Sequence, residues 1–277
     1  MIKYQKTKTL VTKDNNNSAN CIAPNIIYGC RGGCVDTYCY MSRYNGHRIF
    51  VNTNVDEIFQ SVVEWEKQFT KVPDQQDPIY TMVDIACNTD LVLMQKKLPE
   101  SLHDYLKRYD EHPRLNTTMA TKYPRALTLD VNHFNKPPRV RVSLMPQAYS
   151  SVLEPKMQKI SRRIKDINRL KGLGWEVHCN YSPVIFYNNW TKEYDELFAE
   201  VKEVAGENKC EVIALTNHAR QMIKASPEAR ELMKHSCEVK NYNGIMRYPL
   251  NYKSIWIENW KKIYSKYFKL ETIRYIF

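Results

Sequence analysis

From Asn25 to about His235, short apolar runs alternate with stretches whose apolar residues recur at helical spacing. "NIIYG" predicts a first strand, and "VDEIFQSVVEWEKQF" a helix with Val55, Ile58, Phe59, Val62 and Val63 on one face. "PIYTMVDIAC" predicts the next strand, ending in the polar "NTD". It is followed by a helix in "LPESLHDYLKRY" that starts at Pro99. "RLNTTMATK" and "RVRVSLMPQ" predict two more strands, the second with clear alternation. In "EPKMQKISRRIKDINRLKGLG", Met157, Ile160, Ile164, Ile167 and Leu170 mark a helix stopped by Gly172 and Gly174, and its charged residues predict a wet face. "WEVHCNYSPVIF" and "CEVIALT" predict strands around a helix in "TKEYDELFAEVKEVAG", capped by Thr191. "NHARQMIKASPEARELMKH" predicts a further helix.

About six β/α repeats result, which argues for a parallel sheet curved into a full or partial barrel. Sites in such sheets lie at the C-terminal strand ends. The chain divides into a polar arm over 1–24, the barrel over 25–236, and an extension over 237–277. That extension reads as an appendage, with a hairpin around Pro249 and then a basic, aromatic helix. The chain has 277 residues and 43% hydrophobic content, enough for one such core. No apolar run is long enough to span a bilayer, so a soluble, intracellular protein is expected.

The formal net charge of +11 points to a polyanionic partner. With 19 Tyr and 5 Trp, many near the basic C-terminus, nucleic acid is the first partner to consider, through phosphate attraction and base stacking.

Cysteine usage sharpens the picture. "GCRGGCVDTYCYM" places Cys30, Cys34 and Cys39 within ten residues, on a turn after the first strand. In a reducing compartment such crowding points to metal rather than disulfides. Structural zinc generally takes four ligands from paired cysteines, and no second pair follows. Three thiolates favour an iron–sulfur cluster with one iron left open to a small molecule, zinc remaining the alternative. Of the other five, Cys21, Cys87, Cys179, Cys210 and Cys237, most read as small apolar fillers, and His178 reads as an interior histidine.

These residues resemble the radical S-adenosylmethionine enzymes, and among them the spore photoproduct lyases. That family's signature is C-x3-C-x2-C with an aromatic after the last cysteine; here it is C-x3-C-x4-C followed by Tyr40. "ACNTDLV", "MATK" and the block from "VRVSLMPQ" to "NNWTKEY" are also similar to the family, and the likeness covers Asn25 to roughly Lys234. It implies a partial (β/α)6 barrel. It also implies a 4Fe–4S cluster on Cys30, Cys34 and Cys39, with S-adenosylmethionine chelated at the open iron and contacted by Tyr40, Asn88, Lys122 and Ser143. It implies reductive formation of a 5′-deoxyadenosyl radical, which takes a hydrogen from C6 of a methylene-bridged thymine dimer in UV-damaged DNA. The bridge then breaks, Cys87 returns a hydrogen to the product radical, and Tyr38 and Tyr40 pass the radical back. Arg247, Tyr248 and Lys253 in the loosely similar tail would meet DNA. An electron donor such as flavodoxin or ferredoxin, and a monomeric enzyme, are further expectations. Two other readings stay open: a radical enzyme that modifies a nucleobase in DNA or RNA, and a non-catalytic nucleic-acid-binding protein carrying zinc or a cluster.

Overall fold

The computed structural model describes residues 1–15, 17–39, 48–72, 76–215, 217–218, 225–234, 239–240, 245–247 and 250–276; at 36, 217–218, 239–240, 245–247 and 250–251 it describes the backbone only. In chain order the strands are β1 (Ile2–Gln5), β2 (Lys13–Asp14), β3 (Cys21–Ile22), β4 (Ile27–Tyr28), β5 (Ile49–Asn52), β6 (Thr81–Asp84), β7 (Leu115–Thr121), β8 (Arg139–Leu144), β9 (Glu176–Val184), β10 (Cys210–Ala214), β11 (Asn217–His218), β12 (Val239–Lys240), β13 (Ile245–Arg247) and β14 (Ile273–Ile276). The helices are α1 (Val55–Gln68), α2 (Leu91–Met94), α3 (Leu102–Glu111), α4 (Gln147–Leu153), α5 (Ile160–Gly172), α6 (Trp190–Ala205), α7 (Pro227–Met233) and α8 (Leu250–Tyr264). None of the described helices is long and apolar enough to cross a membrane.

Two compact units divide the chain. The first comprises Met1–Arg31, His47–Arg141 and Arg169–Val177. In it β3, β6 and β7 run parallel, with Cys21 opposite Val83 and Thr81 opposite Leu115, while β2 pairs antiparallel to β3. β6 is buried along its whole length, as expected of a parallel strand covered on both faces. α1 turns Val55, Ile58 and Val62 inward, matching the apolar spacing, whereas α3 begins at Leu102 rather than Pro99. The reason is local: the Ser101 hydroxyl accepts the Asp104 amide at 3.1 Å, an N-cap that outcompetes the proline start. The 1–24 segment is woven into sheets, since β1 pairs parallel with β5 and β3 with β6, with Ala19, Asn20 and Cys21 buried.

The second unit comprises Gly32–Gly46, Val142–Asn168 and His178–Phe277. β9, β10 and β14 run parallel, with Cys210 opposite both Cys179 and Ile273. β11, β13 and β12 form a small antiparallel sheet; Pro249, the expected hairpin centre, lies outside the described residues. α6 starts at Trp190 after Asn189, so Thr191 sits inside its first turn instead of capping it. Only Pro227–Met233 of the long helix expected before 235 is described as α-helix, capped by Ser226; Asn217–His218 is a strand.

The C-terminal segment belongs to this unit's core. Trp256 and Trp260 of α8 are buried, Trp260 lying 4.8 Å from the Tyr194 ring and 5.0 Å from that of Phe198, while Trp256 lies 4.9 Å from Phe186. β14 then adds an outer strand to β10. Aromatic rings of this size need apolar cover, and α6 provides it, so the segment read as an appendage packs as core.

β8 carries the expected alternation of Arg and Val, and all six of its residues are buried. Arg139 donates to Glu176 at 2.9 Å, and Arg141 to Asp84 at 2.7 Å. Buried guanidinium groups persist because carboxylates meet them.

Candidate functional site

In the first unit, three segments meet around the end of β6. Gly29, at the head of the cysteine turn, has φ of +98°, and a Cβ there would sit 2.2 Å from the Arg48 carbonyl oxygen, so glycine is required. Its amide donates to the Asn88 carbonyl at 3.2 Å, and the Thr89 hydroxyl donates to the Gly29 carbonyl at 2.8 Å. Cys30, buried, follows directly. The Asn88 side-chain amide donates to Asn25 at 2.9 Å.

Asp90 ties this turn to the end of β7. Its carboxylate accepts the Leu93 amide at 3.1 Å, capping α2, and also the Thr121 hydroxyl at 2.9 Å and the Lys122 amide at 2.8 Å. Sequence-predicted Lys122 is thereby held through its amide by Asp90, while Asn88 is held by Gly29 and Asn25; Cys87 lies on the turn between Asp84 and Asp90. Cys87 is exposed, unlike the fillers Cys21, Cys179 and Cys210, which are buried. The protein packed around its sulfur, and then the Asp84 carboxylate, push its thiol up to about 12 against the opposing pull of Arg141 and Lys13. A cysteine in that state keeps its S–H at physiological pH.

In the second unit, the cysteine turn continues as a short 3-10 turn, Gly33–Asp36. The Cys34 carbonyl accepts the amides of Thr37 at 3.2 Å and Cys39 at 3.0 Å, so the turn curls back on itself; Cys34 is buried and Cys39 half-buried. Tyr38 is buried, and its hydroxyl donates to the Glu154 carboxylate. Burial and then Glu154 hold its phenol protonated, well above the ordinary tyrosine range. Ser143, near the end of β8, is buried, and its hydroxyl accepts from the Asn180 side-chain amide at 3.3 Å. The Asn180 carbonyl oxygen is buried without a hydrogen-bond partner among the described residues, an acceptor suited to a ligand's N–H or O–H.

Tyr40 and Tyr248 lie outside the described residues, and of Arg247 only the backbone, in β13, is described. Lys253 lies half-buried on α8, and His178 is interior as expected. Among the described residues no three His, Cys, Asp or Glu side chains are placed to hold a metal ion. The donor set of the cysteine turn is three thiols, which suits iron–sulfur or zinc and not a hard, oxygen-seeking cation.

The sequence profile described as spore photoproduct lyase matches residues 4–270. The chain belongs to the spore photoproduct lyase family. A spore photoproduct lyase of Clostridium acetobutylicum is 24% identical over 196 residues, covering 70% of this chain and 55% of the relative, so the match spans little more than half of the curated protein. Among solved structures, a tyrosine-to-phenylalanine mutant of spore photoproduct lyase superposes with TM-score 0.81 at 19% identity, covering all of this chain and 82% of that one. A mutant spore photoproduct lyase with bound AdoMet and dinucleoside spore photoproduct gives TM-score 0.75 at 17% identity, with the same coverage. These likenesses show a mixed α/β fold shared with the spore photoproduct lyase structures, and membership of that family places the chain among the radical S-adenosylmethionine enzymes. A 4Fe–4S cluster and S-adenosylmethionine are the cofactors of this family.

Within each unit, residues not singled out from the sequence support the predicted ones. Asp84, Asp90 and Arg141 set the β6 and β7 ends, while Asn180, Glu154 and Arg163 flank Ser143 and Tyr38. Arg163, assigned to the wet face of α5, is buried against Glu154 at 2.7 Å.

Proposed function

We propose that this chain is a radical S-adenosylmethionine lyase that reverses the methylene-bridged thymine dimer of UV-damaged DNA. The observation that carries it is Cys87: an exposed, protonated thiol on a turn bonded to Gly29, beside the first cluster cysteine, and to Lys122 at the neighbouring strand end. Family membership and the dinucleoside spore photoproduct held by structural relatives support the substrate.

On this reading Cys30, Cys34 and Cys39 hold the cluster, and Tyr40, Asn88, Lys122, Ser143 and Asn180 hold S-adenosylmethionine. A lysine at a strand end pairs with a carboxylate, while a serine and an asparagine satisfy ammonium or hydroxyl groups. Once bound, these cofactors supply a carbon-centred radical able to take the C6 hydrogen of the lesion. The protein's residues do the rest. After the bridge's C–C bond breaks, Cys87 gives its S–H hydrogen atom to the methylene radical, completing the thymine methyl group. The resulting sulfur radical would regain a hydrogen atom through Tyr38 and Tyr40, drawn in the end from the 5′-deoxyadenosine that took the C6 hydrogen. The hydrogen removed at C6 is balanced by the one delivered, so the lesion undergoes no net redox change. Arg247, Tyr248 and Lys253 contact the DNA, whose lesion leaves the stack readily because the damaged step is already weakened. Flavodoxin or ferredoxin supplies the electron, and the enzyme acts as a monomer.

The test is anaerobic reconstitution of the full chain, with about four irons and four sulfides per chain expected. A synthetic dinucleotide photoproduct, dithionite and S-adenosylmethionine are then added, and release of the repaired thymine dinucleotide is the expected result. Formation of 5′-deoxyadenosine without repair would move the assignment to nucleobase modification. One zinc per chain and no cofactor cleavage would leave only a binding protein.

A further inference from the structure

The cysteine turn in the second unit rests on the short connection between α4 and α5, and the contacts are unusually complete. A Cβ on Gly33 would lie 1.6 Å from the Pro155 carbonyl oxygen, so the turn's backbone is seated against that connection where no side chain fits. The Gly33 amide points at the Met157 sulfur at 3.3 Å, and the Thr37 hydroxyl donates to the Leu153 carbonyl. Tyr38 reaches the Glu154 carboxylate, which also accepts the Ser150 hydroxyl at 3.3 Å. Glu154 is paired at 2.7 Å with Arg163, and both side chains are fully buried. Arg163 also donates to the Gln158 carbonyl at 2.8 Å and to the Ser143 carbonyl at 2.9 Å.

One carboxylate therefore links two places with separate tasks: the turn carrying Cys34 and Cys39, and the strand end carrying Ser143. A buried ion pair is a costly way to hold two segments together, since an apolar pair of the same volume stabilises as well or better. What it adds is direction. Tyr38 is given a buried carboxylate to reach, and Arg163 presents a rigid fork that fixes Glu154 and the Ser143 carbonyl at the same time.

We propose that Glu154 and Arg163 are positioning residues that clamp the cysteine turn through the Tyr38 hydroxyl and register it against the Ser143 strand end. The proposal rests on the assignment of Cys34 and Cys39 to the cluster and of Ser143 to S-adenosylmethionine. The clamp itself exists without either cofactor and is testable without them.

The first measurement uses cluster-free full-length protein and site-resolved alkylation of Cys39, the half-buried cysteine of the turn. Glu154→Gln leaves Arg163 unpaired, and Tyr38→Phe removes only the anchoring hydroxyl. Each is expected to speed Cys39 labelling by roughly ten- to a hundredfold, the range set by losing a hydrogen bond to a charged group. Labelling of buried Cys179 should stay unchanged, reporting an intact core. The double variant Glu154→Leu/Arg163→Met replaces the pair by apolar side chains of similar size. It should keep a higher thermal midpoint than Glu154→Gln, which leaves a buried charge unpaired, while Cys39 stays fast, separating positioning from stability. Should Glu154→Gln prove too unstable, Tyr38→Phe and this double variant carry the same test.

The second measurement is electron paramagnetic resonance of the reduced, reconstituted protein with and without S-adenosylmethionine. The shift that S-adenosylmethionine causes in the wild-type signal is expected to weaken in the double variant at equal iron content. Unchanged Cys39 labelling in Tyr38→Phe and in the double variant overturns the clamp. Fast labelling with a wild-type cofactor-induced shift overturns its registering role. Wild-type protein that takes up no iron refutes the cluster assignment instead, while the labelling result still decides the clamp.

Discussion

A hydrogen-atom donor must carry a hydrogen, so the protonation of Cys87 is the point at which the proposed chemistry is most exposed to test. An ordinary cysteine thiol ionises near 8.5, leaving roughly a quarter as thiolate at about pH 8. Cys87 is pushed up to about 12, first by the protein around it and then by Asp84. At about pH 8 that leaves roughly one thiolate in ten thousand, a deficit of about three orders of magnitude against an ordinary cysteine. Cys87 is exposed as a residue while protein surrounds its sulfur, so the slope of rate against pH, which access does not alter, carries the test. The assay is iodoacetamide alkylation of cluster-free full-length protein from about pH 7 to about pH 10, read on the peptide carrying Cys87 and compared with the same peptide unfolded in urea. The folded-state rate should climb about tenfold per pH unit without levelling, while the unfolded peptide levels off as it passes its own pKa. The direction of the mutant follows from the sign of each charge. Asp84→Asn removes an anion and leaves the Arg141 cation, so thiolate forms more easily and the whole curve moves to lower pH. A wild-type plateau near pH 9, or a rate within about tenfold of the unfolded peptide at about pH 8, would refute the reasoning.

Two further outcomes test the packing that supports the site. Trp260→Ala should cost about 3–5 kcal/mol in denaturant unfolding, because the ring is buried among Tyr181, Tyr194 and Phe198; a cost under about 1 kcal/mol would restore the reading of the C-terminal segment as an appendage. Asp90→Ala should lose about 1–3 kcal/mol, since the Leu93 amide, the Thr121 hydroxyl and the Lys122 amide all lose their acceptor. In equilibrium dialysis the same variant of the reconstituted protein should bind S-adenosylmethionine more weakly through the displaced Lys122, and unchanged affinity would remove Lys122 from the cofactor site.

Local periodicity carried the element order, because whether Val55, Ile58 and Val62 share a helix face depends only on their own spacing. The crowding of the three cysteines on one turn was equally legible, since it lies in their separation along the chain. The placing of Cys87, Asn88 and Lys122 at strand ends likewise followed from strands that could be read one at a time. What the tertiary structure decided was the fate of charges and of the C-terminal segment. Arg139, Arg141 and Arg163 look like solvent-facing residues until Glu176, Asp84 and Glu154 are brought against them from elsewhere in the chain. Trp256 and Trp260 look like a loose aromatic tail until Phe186 and the α6 residue Phe198 meet them. The physical reason is common to both. A helix or strand period is set by backbone geometry over a few residues, whereas the cost of burying a charge or the gain from burying a ring is set by whatever distant partner folding delivers.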